Sequence, residues 1–236
     1  MPAMNESATP DPGTATITEL IALGRDREAV DLATRERDTP RRGGTMDGVQ
    51  QLDEIIPLLE ALVDGMSPDQ LDRPTPCSAF TVRSVLEHMI GGATAFAPAF
   101  RGQATPSAPA GAEAGTTEER WHRAMAELTD AVHSAGAQER TIATPFGEMA
   151  GATFARYVAF DGLVHGWDLA TATGQRYLPP SDLVVEVDAF ARGLLQPEMR
   201  DGDTFAAEVD PPPGASPLER LVAFSGRQLT NLEATS

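Results

Sequence analysis

Between residues 152 and 173 the chain reads ATFARYVAFDGLVHGWDLATAT, a long helix-forming run without proline. At about 100° per residue, Phe154, Val158, Asp161, His165, Asp168 and Ala172 project into one sector about 80° wide. Phe160, Leu163, Val164 and Trp167 cover the flanks, so this helix is apolar almost all round and has to be buried among other helices. Its three ionisable groups are then buried with it, and buried charges are normally paired or bound to metal. Gly174 follows as a C-terminal stop.

Other helices are available to surround it. From Met46 onward, Leu52, Ile55, Ile56, Leu59, Leu62, Val63 and Met66 repeat at helical spacing. Prolines 68, 74 and 76 break the connector that follows. A second helix is predicted over about 81–100, with Val82, Leu86, Met89, Ala93, Phe96 and Phe100 inward and Thr81 or Ser78 as its N-cap. A third is predicted over about 117–137 on the stripe Trp121, Met125, Leu128 and Val132. RTIATPFGEMAG reads as a short hairpin or extended loop turning at Pro145–Gly147, before the fourth helix. A fifth, over about 181–195, buries Leu183, Val187, Phe190 and Leu194, and a short last one runs over about 217–227. The fold class is therefore all-α: a four-helix bundle over 46–236 with extra C-terminal helices. Residues 1–45, rich in Pro, Gly, Thr and mixed charge, read as a disordered or weakly helical tail, and translation starting at Met46 is an alternative.

Composition narrows the chemistry. Cys77 is the single cysteine, which excludes an internal disulfide framework or an all-thiolate metal site. All 18 basic residues are arginine, which removes Schiff-base, P-loop and lysine general-base chemistry. A formal net charge of −17 argues against nucleic acid and anionic membranes as partners and leaves small-molecule substrates or a basic partner. No run of about 18 apolar residues and no secretory leader is seen, so a soluble, cytoplasmic protein is expected, with self-association into a homodimer left open.

Asp161 and His165, one turn apart, can point the same way and share a cation. The third ligand has to come from another helix, and His88 lies at the edge of the apolar face of the second one. Gly92 and Ala95 leave the surface above it free of bulk. Two histidines and a carboxylate half-fill a coordination sphere, the open kind of site that activates a bound water or thiol. The plain alternative is an ordinary hydrogen-bonded His–Asp pair. Asp168 is either a partner to the ring N–H of a ligand histidine or a salt-bridge partner of an arginine. His122, His133 and Glu87 read as solvated surface, and Cys77 as a buried structural thiol rather than a reactive one.

The strings RPTPCSAFTVRSVLEHMIGG and FARYVAFDGLVHGWDLATATGQ resemble the metal-binding domain of the mycothiol-dependent maleylpyruvate isomerase family, within the wider DinB-like superfamily. The resemblance covers most of 46–236. It implies a DinB-like four-helix bundle with a divalent ion, commonly zinc, between the second and fourth helices, held by residues matching His88, Asp161 and His165. The isomerase looks to have glutamate where this chain has Asp161, and a separate C-terminal domain for which this chain is too short.

Together these readings give an expectation: a divalent-metal protein with His88, Asp161 and His165 as ligands and Asp168 behind them. Zn2+ is the leading ion, with Ni2+ or Fe2+ the other candidates. The expected chemistry is activation of a low-molecular-weight thiol cosubstrate, in a transferase or isomerase, or of water. The rival is a non-catalytic, stress-associated protein that binds a metal or small ligand.

Overall fold

The computed structural model describes residues 45–78, 80–103, 114–144, 147–195, 199–200 and 205–229. The tail expected over 1–45 lies, but for Thr45, outside the described residues. Six α-helices and one small hairpin follow in order: α1 (Gly48–Asp64), α2 (Val82–Phe100), α3 (Thr117–Val132), β1 (Thr141–Thr144), β2 (Gly147–Ala150), α4 (Gly151–Thr173), α5 (Ser181–Leu194) and α6 (Pro217–Phe224). Helix α1 packs along α4 and α2 along α3, while α1–α3 and α2–α4 contacts close the ring. The result is an all-α, DinB-like bundle, with α5 lying against α4 and α6 against α5.

Side-chain caps fix where several of these helices start. Asp47, Thr81, Thr116 and Ser216 each accept a backbone N–H from the third residue of the helix they open, and that residue's side chain returns the bond. Thr81 rather than Ser78 is thus the cap of α2. Helix α4 ends at Gly174, whose φ of 73° is the left-handed conformation expected of a C-terminal glycine. The hairpin pairs Thr141 with Ala150 and Thr144 with Gly147, and its turn residues 145 and 146 lie outside the described set.

Two helices are shorter than their periodicity predicts. Helix α3 ends at Val132 instead of near 137, and Gly136 at φ 75° carries the chain into the turn before β1. Helix α6 ends at Phe224 instead of 227 in a Schellman arrangement, Gly226 N–H bonding Ala223 O at 2.9 Å and Arg227 N–H bonding Val222 O at 3.0 Å. Gly226 has φ 95°, and a Cβ there would also stand 2.7 Å from Ala206. On α5, Val184 and Ala191 are buried with Leu183 and Val187, whereas Phe190 is half-buried under the Arg156 guanidinium. No helix among the described residues is long and apolar enough to cross a membrane.

Helix α4 is the axis of the bundle: Phe154, Phe160, Leu163 and Leu169 are all essentially inaccessible. Gly166 sets how closely it passes its neighbours, since a Cβ there would stand 2.5 Å from Tyr177 Cζ and 2.9 Å from Leu59 Cδ2. Gly166→Ala should therefore destabilise the protein by about 1–3 kcal/mol through overpacking. Gly91→Ala, where a Cβ would meet nothing within 4 Å, should stabilise by up to about 1 kcal/mol from helix propensity. Chemical denaturation of the two variants beside the parent checks both signs.

Candidate metal centre

His88 stands two turns into α2, and Asp161 and His165 lie one turn apart on α4. The helices bring the three side chains together, one donor atom from each lying within 4.8 Å of the others. Asp161 Oδ2 is 3.7 Å from His88 Nε2, and Asp161 Oδ1 is 3.6 Å from His165 Nε2. Both separations are too long for hydrogen bonds. They are close to the ~3.3 Å that separates neighbouring donors around a tetrahedral ion with bonds of about 2.0–2.1 Å. Two imidazole nitrogens and a carboxylate, brought within 4.8 Å of one another, fit a divalent cation by number and type of donor.

The nitrogen of His165 turned away from this cluster is also committed. Its Nδ1 lies 3.0 Å from Asp168 Oδ2, and Asp168 is wholly buried. Arg227 donates to the same carboxylate, from one terminal nitrogen at 3.0 Å and from Nε at 3.4 Å. Asp168 therefore fills both roles the sequence left open: partner to a histidine ring and salt-bridge partner of an arginine. The contact with Asp168 fixes the plane of the His165 ring and turns its other nitrogen, Nε2, toward Asp161.

A pinched loop covers one side. Thr75 donates its hydroxyl to Phe80 O at 2.8 Å, Phe80 N–H bonds Cys77 O at 2.8 Å, and Val82 N–H bonds Arg73 O at 3.0 Å. The loop sets the Phe80 ring edge-on to His88, with centroids 5.7 Å apart, and tilted against His165 at 6.3 Å. Behind it lies a chamber of about 350 Å³ between the loop, α4 and the segment after α6, whose lining includes Cys77, Ser78, His88, Asp161, His165 and Arg227. Cys77 is thus a half-buried chamber residue, not the buried structural thiol expected. On the other side of His88 and Asp161 a second cavity of about 360 Å³ runs between α1, α2, α3 and α4. Gly92 lines it as expected, but Ala93 rather than Ala95 is its small neighbour.

Arg227, Tyr157 and Phe80 are the site residues that the sequence did not single out. Tyr157 precedes Asp161 by one turn and lines both cavities, so helical spacing could have found it. Arg227 had no such signal, because it reaches the site only through the early end of α6. Glu87, expected on the surface, is half-exposed and held by both terminal nitrogens of Arg120 at 2.6 and 2.7 Å, tying α2 to α3. His122 and His133 lie at the periphery as expected, yet each meets a carboxylate of α1, Asp64 and Asp53 respectively, at 2.8 Å. Asp64, Glu118 and His122 form a second, more exposed cluster of potential donors.

The description "mycothiol maleylpyruvate isomerase N-terminal domain" matches residues 52–170, which include all three clustered donors. The chain belongs to that family. Two relatives, uncharacterized proteins of Mycobacterium tuberculosis strains CDC 1551 / Oshkosh and ATCC 25618 / H37Rv, are each 37% identical over 169 residues, covering 71% of this chain and 90% of theirs. No solved structure matches. The family is metal-binding and mycothiol-related.

Electrostatics at the cluster follow from the same contacts. The facing Asp161 carboxylate raises the His88 pKa, against partial burial and the Arg227 charge, which lower it. Burial pushes the Asp161 carboxyl upward, but His165, His88 and Arg227 together outweigh it and hold it below the ordinary range. In metal-free protein His88 should thus titrate above the usual histidine value, and return toward it in Asp161→Asn; histidine NMR titration reads this directly. The sign for stability follows by linkage. The His88 contribution is complete below the unfolded-state histidine pKa and fades as pH rises through the raised folded value. The Asp161 contribution is present above the unfolded-state aspartate pKa and fades as pH falls through the depressed folded value.

Removing Arg227 leaves Asp168 buried without its cation. Breaking a buried pair from one side typically costs about 3–5 kcal/mol. Arg227→Met should fall near the lower end of that range, because His165 remains to share the carboxylate. Urea denaturation of the variant at neutral pH measures it.

Proposed function

We propose that the protein is a metal-dependent enzyme that activates a low-molecular-weight thiol, or water, for reaction with a small substrate. His88, Asp161 and His165 are its metal ligands. The observation that carries this reading is the convergence of two histidines and a carboxylate from two helices beside an open chamber. Zinc suits a donor set of two imidazoles and one carboxylate, with Ni2+ and Fe2+ the other candidates. A divalent ion bound there would supply charge that lowers the pKa of a thiol or water beside it.

The chain's own residues do the rest. Asp168 and Arg227 fix the His165 tautomer and ring plane, so that Nε2 is presented without rearrangement. Phe80 shields the two histidine rings from water on one side. Ser78, Cys77 and Ser225 line the chamber with polar atoms suited to a hydrophilic cosubstrate, and the family's association with mycothiol gives that cosubstrate its class: a low-molecular-weight thiol. Thiol-dependent transfer or isomerisation is favoured over hydrolysis for this reason.

The test begins with elemental analysis of protein purified without added metal or nickel affinity. About one equivalent of a divalent ion is expected in the parent, and it should be lost in His88→Ala and in Asp161→Ala, with helical circular dichroism retained. His165→Ala should remain folded and lose thiol-dependent turnover. A parent that takes up no metal after loading with zinc, iron or nickel would overturn the proposal.

A further inference from the structure

The cavity inside the bundle differs in chemistry from the chamber beside the loop. Of its sixteen lining residues, only His88, Tyr157 and Asp161 carry polar side-chain atoms. The remainder, among them Leu52, Ile55, Met89, Phe96, Met125 and Phe154, present carbon and sulfur alone. The chamber beside the loop is lined by Cys77, Ser78, His165, Ser225 and Arg227 in addition to apolar groups. His88, Tyr157 and Asp161 belong to both linings. Two unlike spaces of about 360 and 350 Å³ therefore meet at two of the three clustered donors.

An apolar pocket of that size, opening to solvent between the helices, is not what close packing produces, since interiors are filled to crystal-like density. Atoms lining an empty space lose the dispersion contacts that a neighbour would supply. The sequence keeps this one open with small groups on α2 where bulk would close it, Gly92 and Ala93. Its walls would strip water from any polar group entering without offering hydrogen bonds in return, which selects against polar ligands. An apolar cavity of about 150 Å³ accepts benzene, so this one has room for roughly two rings or a comparable branched chain.

We propose that this inner cavity binds an apolar cosubstrate, of two-ring size or the aliphatic equivalent, whose reactive end lies against His88 and Asp161 while the hydrophilic thiol occupies the outer chamber. The assignment of the reactive end rests on the metal-dependent reading above. The cavity's preference for apolar ligands does not, and can be tested without metal. Substrates of this site are then amphipathic or wholly apolar electrophiles, and small hydrophilic acids are excluded from the inner space.

The experiment uses 2-acetonaphthone, a neutral two-ring carbonyl compound, titrated by calorimetry into metal-free and zinc-loaded full-length protein. Saturable binding to both forms is expected. Ala93→Leu places its added carbons in the cavity from a position only 2% exposed. It should weaken binding at least tenfold without lowering the melting temperature, since it fills empty space instead of crowding a packed core. Val158→Phe, a second filling variant on α4, should do the same and guards against a folding defect in the first. Absence of saturable binding to both forms up to the probe's solubility would overturn the proposal, as would binding that both folded filling variants leave unchanged. Zinc uptake without probe binding would sink the apolar cosubstrate and leave the metal site standing. Probe binding without zinc uptake would leave the cavity assignment and remove the metal-dependent reading.

Discussion

Asp168 is completely enclosed, and a carboxylate in that position has to be satisfied from within the protein. Both available solutions are used at once. His165, one turn earlier on the same helix, supplies a ring N–H, and Arg227 supplies a guanidinium from the end of the described chain. The second partner dictates the shape of the C-terminal segment. Helix α6 has to stop at Phe224 and reverse through Gly226 for Arg227 to turn inward, and the Schellman bonds at that end perform the reversal. The first partner dictates the direction of the His165 ring, and with it which nitrogen faces Asp161. One buried charge thus links the terminal helix to the geometry of the candidate metal centre, 59 residues apart in the chain.

The extent to which all this is readable in the sequence depends on whether the information is local. Five of the six helices bury one face, which spacing reports, and α4 shows itself instead as a long proline-free apolar run closed by Gly174. The cluster of His88, Asp161 and His165 was legible for a related reason: polar groups in an apolar stripe stand out, and histidines are few. The ends of α3 and α6 were not legible. In both, the apolar pattern runs on past residues where a glycine at positive φ has already turned the chain, and a pattern of burial does not distinguish a helix from a turn that also packs. Arg227 was invisible as a consequence, since continuing α6 through residue 227 would have left it one more arginine on a short helix. Tyr157 was within reach and overlooked, because a tyrosine next to an apolar face reads as core. The packing partners of Glu87, His122 and His133 depend on which helices become neighbours, which single-helix periodicity does not specify.

A lysine-free chain with formal charge −17 handles its excess of carboxylates in a particular way. Where pairing is needed across helices, arginine provides it in two-pronged form: Arg120 to Glu87 between α2 and α3, and Arg101 to Glu127 and Asp130 between the same helices. Histidines serve between α3 and α1. The exposed pairs contribute little individually, but their arrangement has a consequence for the site. Arg227 is the one arginine lining the outer chamber, and its charge is already directed at Asp168. That arginine serves the buried carboxylate and the fold of the C-terminal segment, and it is not free to meet a ligand in the chamber.

The two long seams of α4 are built on opposite principles, and the difference is what makes a site possible. Against α1 the approach is closed by glycine: a Cβ on Gly48 would stand 2.6 Å from Arg156 N, one on Gly162 3.2 Å from Ile55, and one on Gly166 2.9 Å from Leu59. Such contact leaves α4 little freedom to rotate, so Asp161, His165 and Asp168 are held in fixed directions by a seam that takes no part in the chemistry. Toward α2 the packing is relaxed. The inner cavity separates the two helices over the turns beyond His88, and across the remaining gap His88 Nε2 stands 3.7 Å from Asp161 Oδ2, beyond hydrogen-bond distance. If both seams were tight, His88 would be drawn against Asp161 into an ordinary hydrogen bond and the cavity would fill. If both were loose, nothing would keep the three donors at the spacing a cation requires. A close-packed helix pair on one side and a hollow one on the other satisfies both demands within a single four-helix bundle.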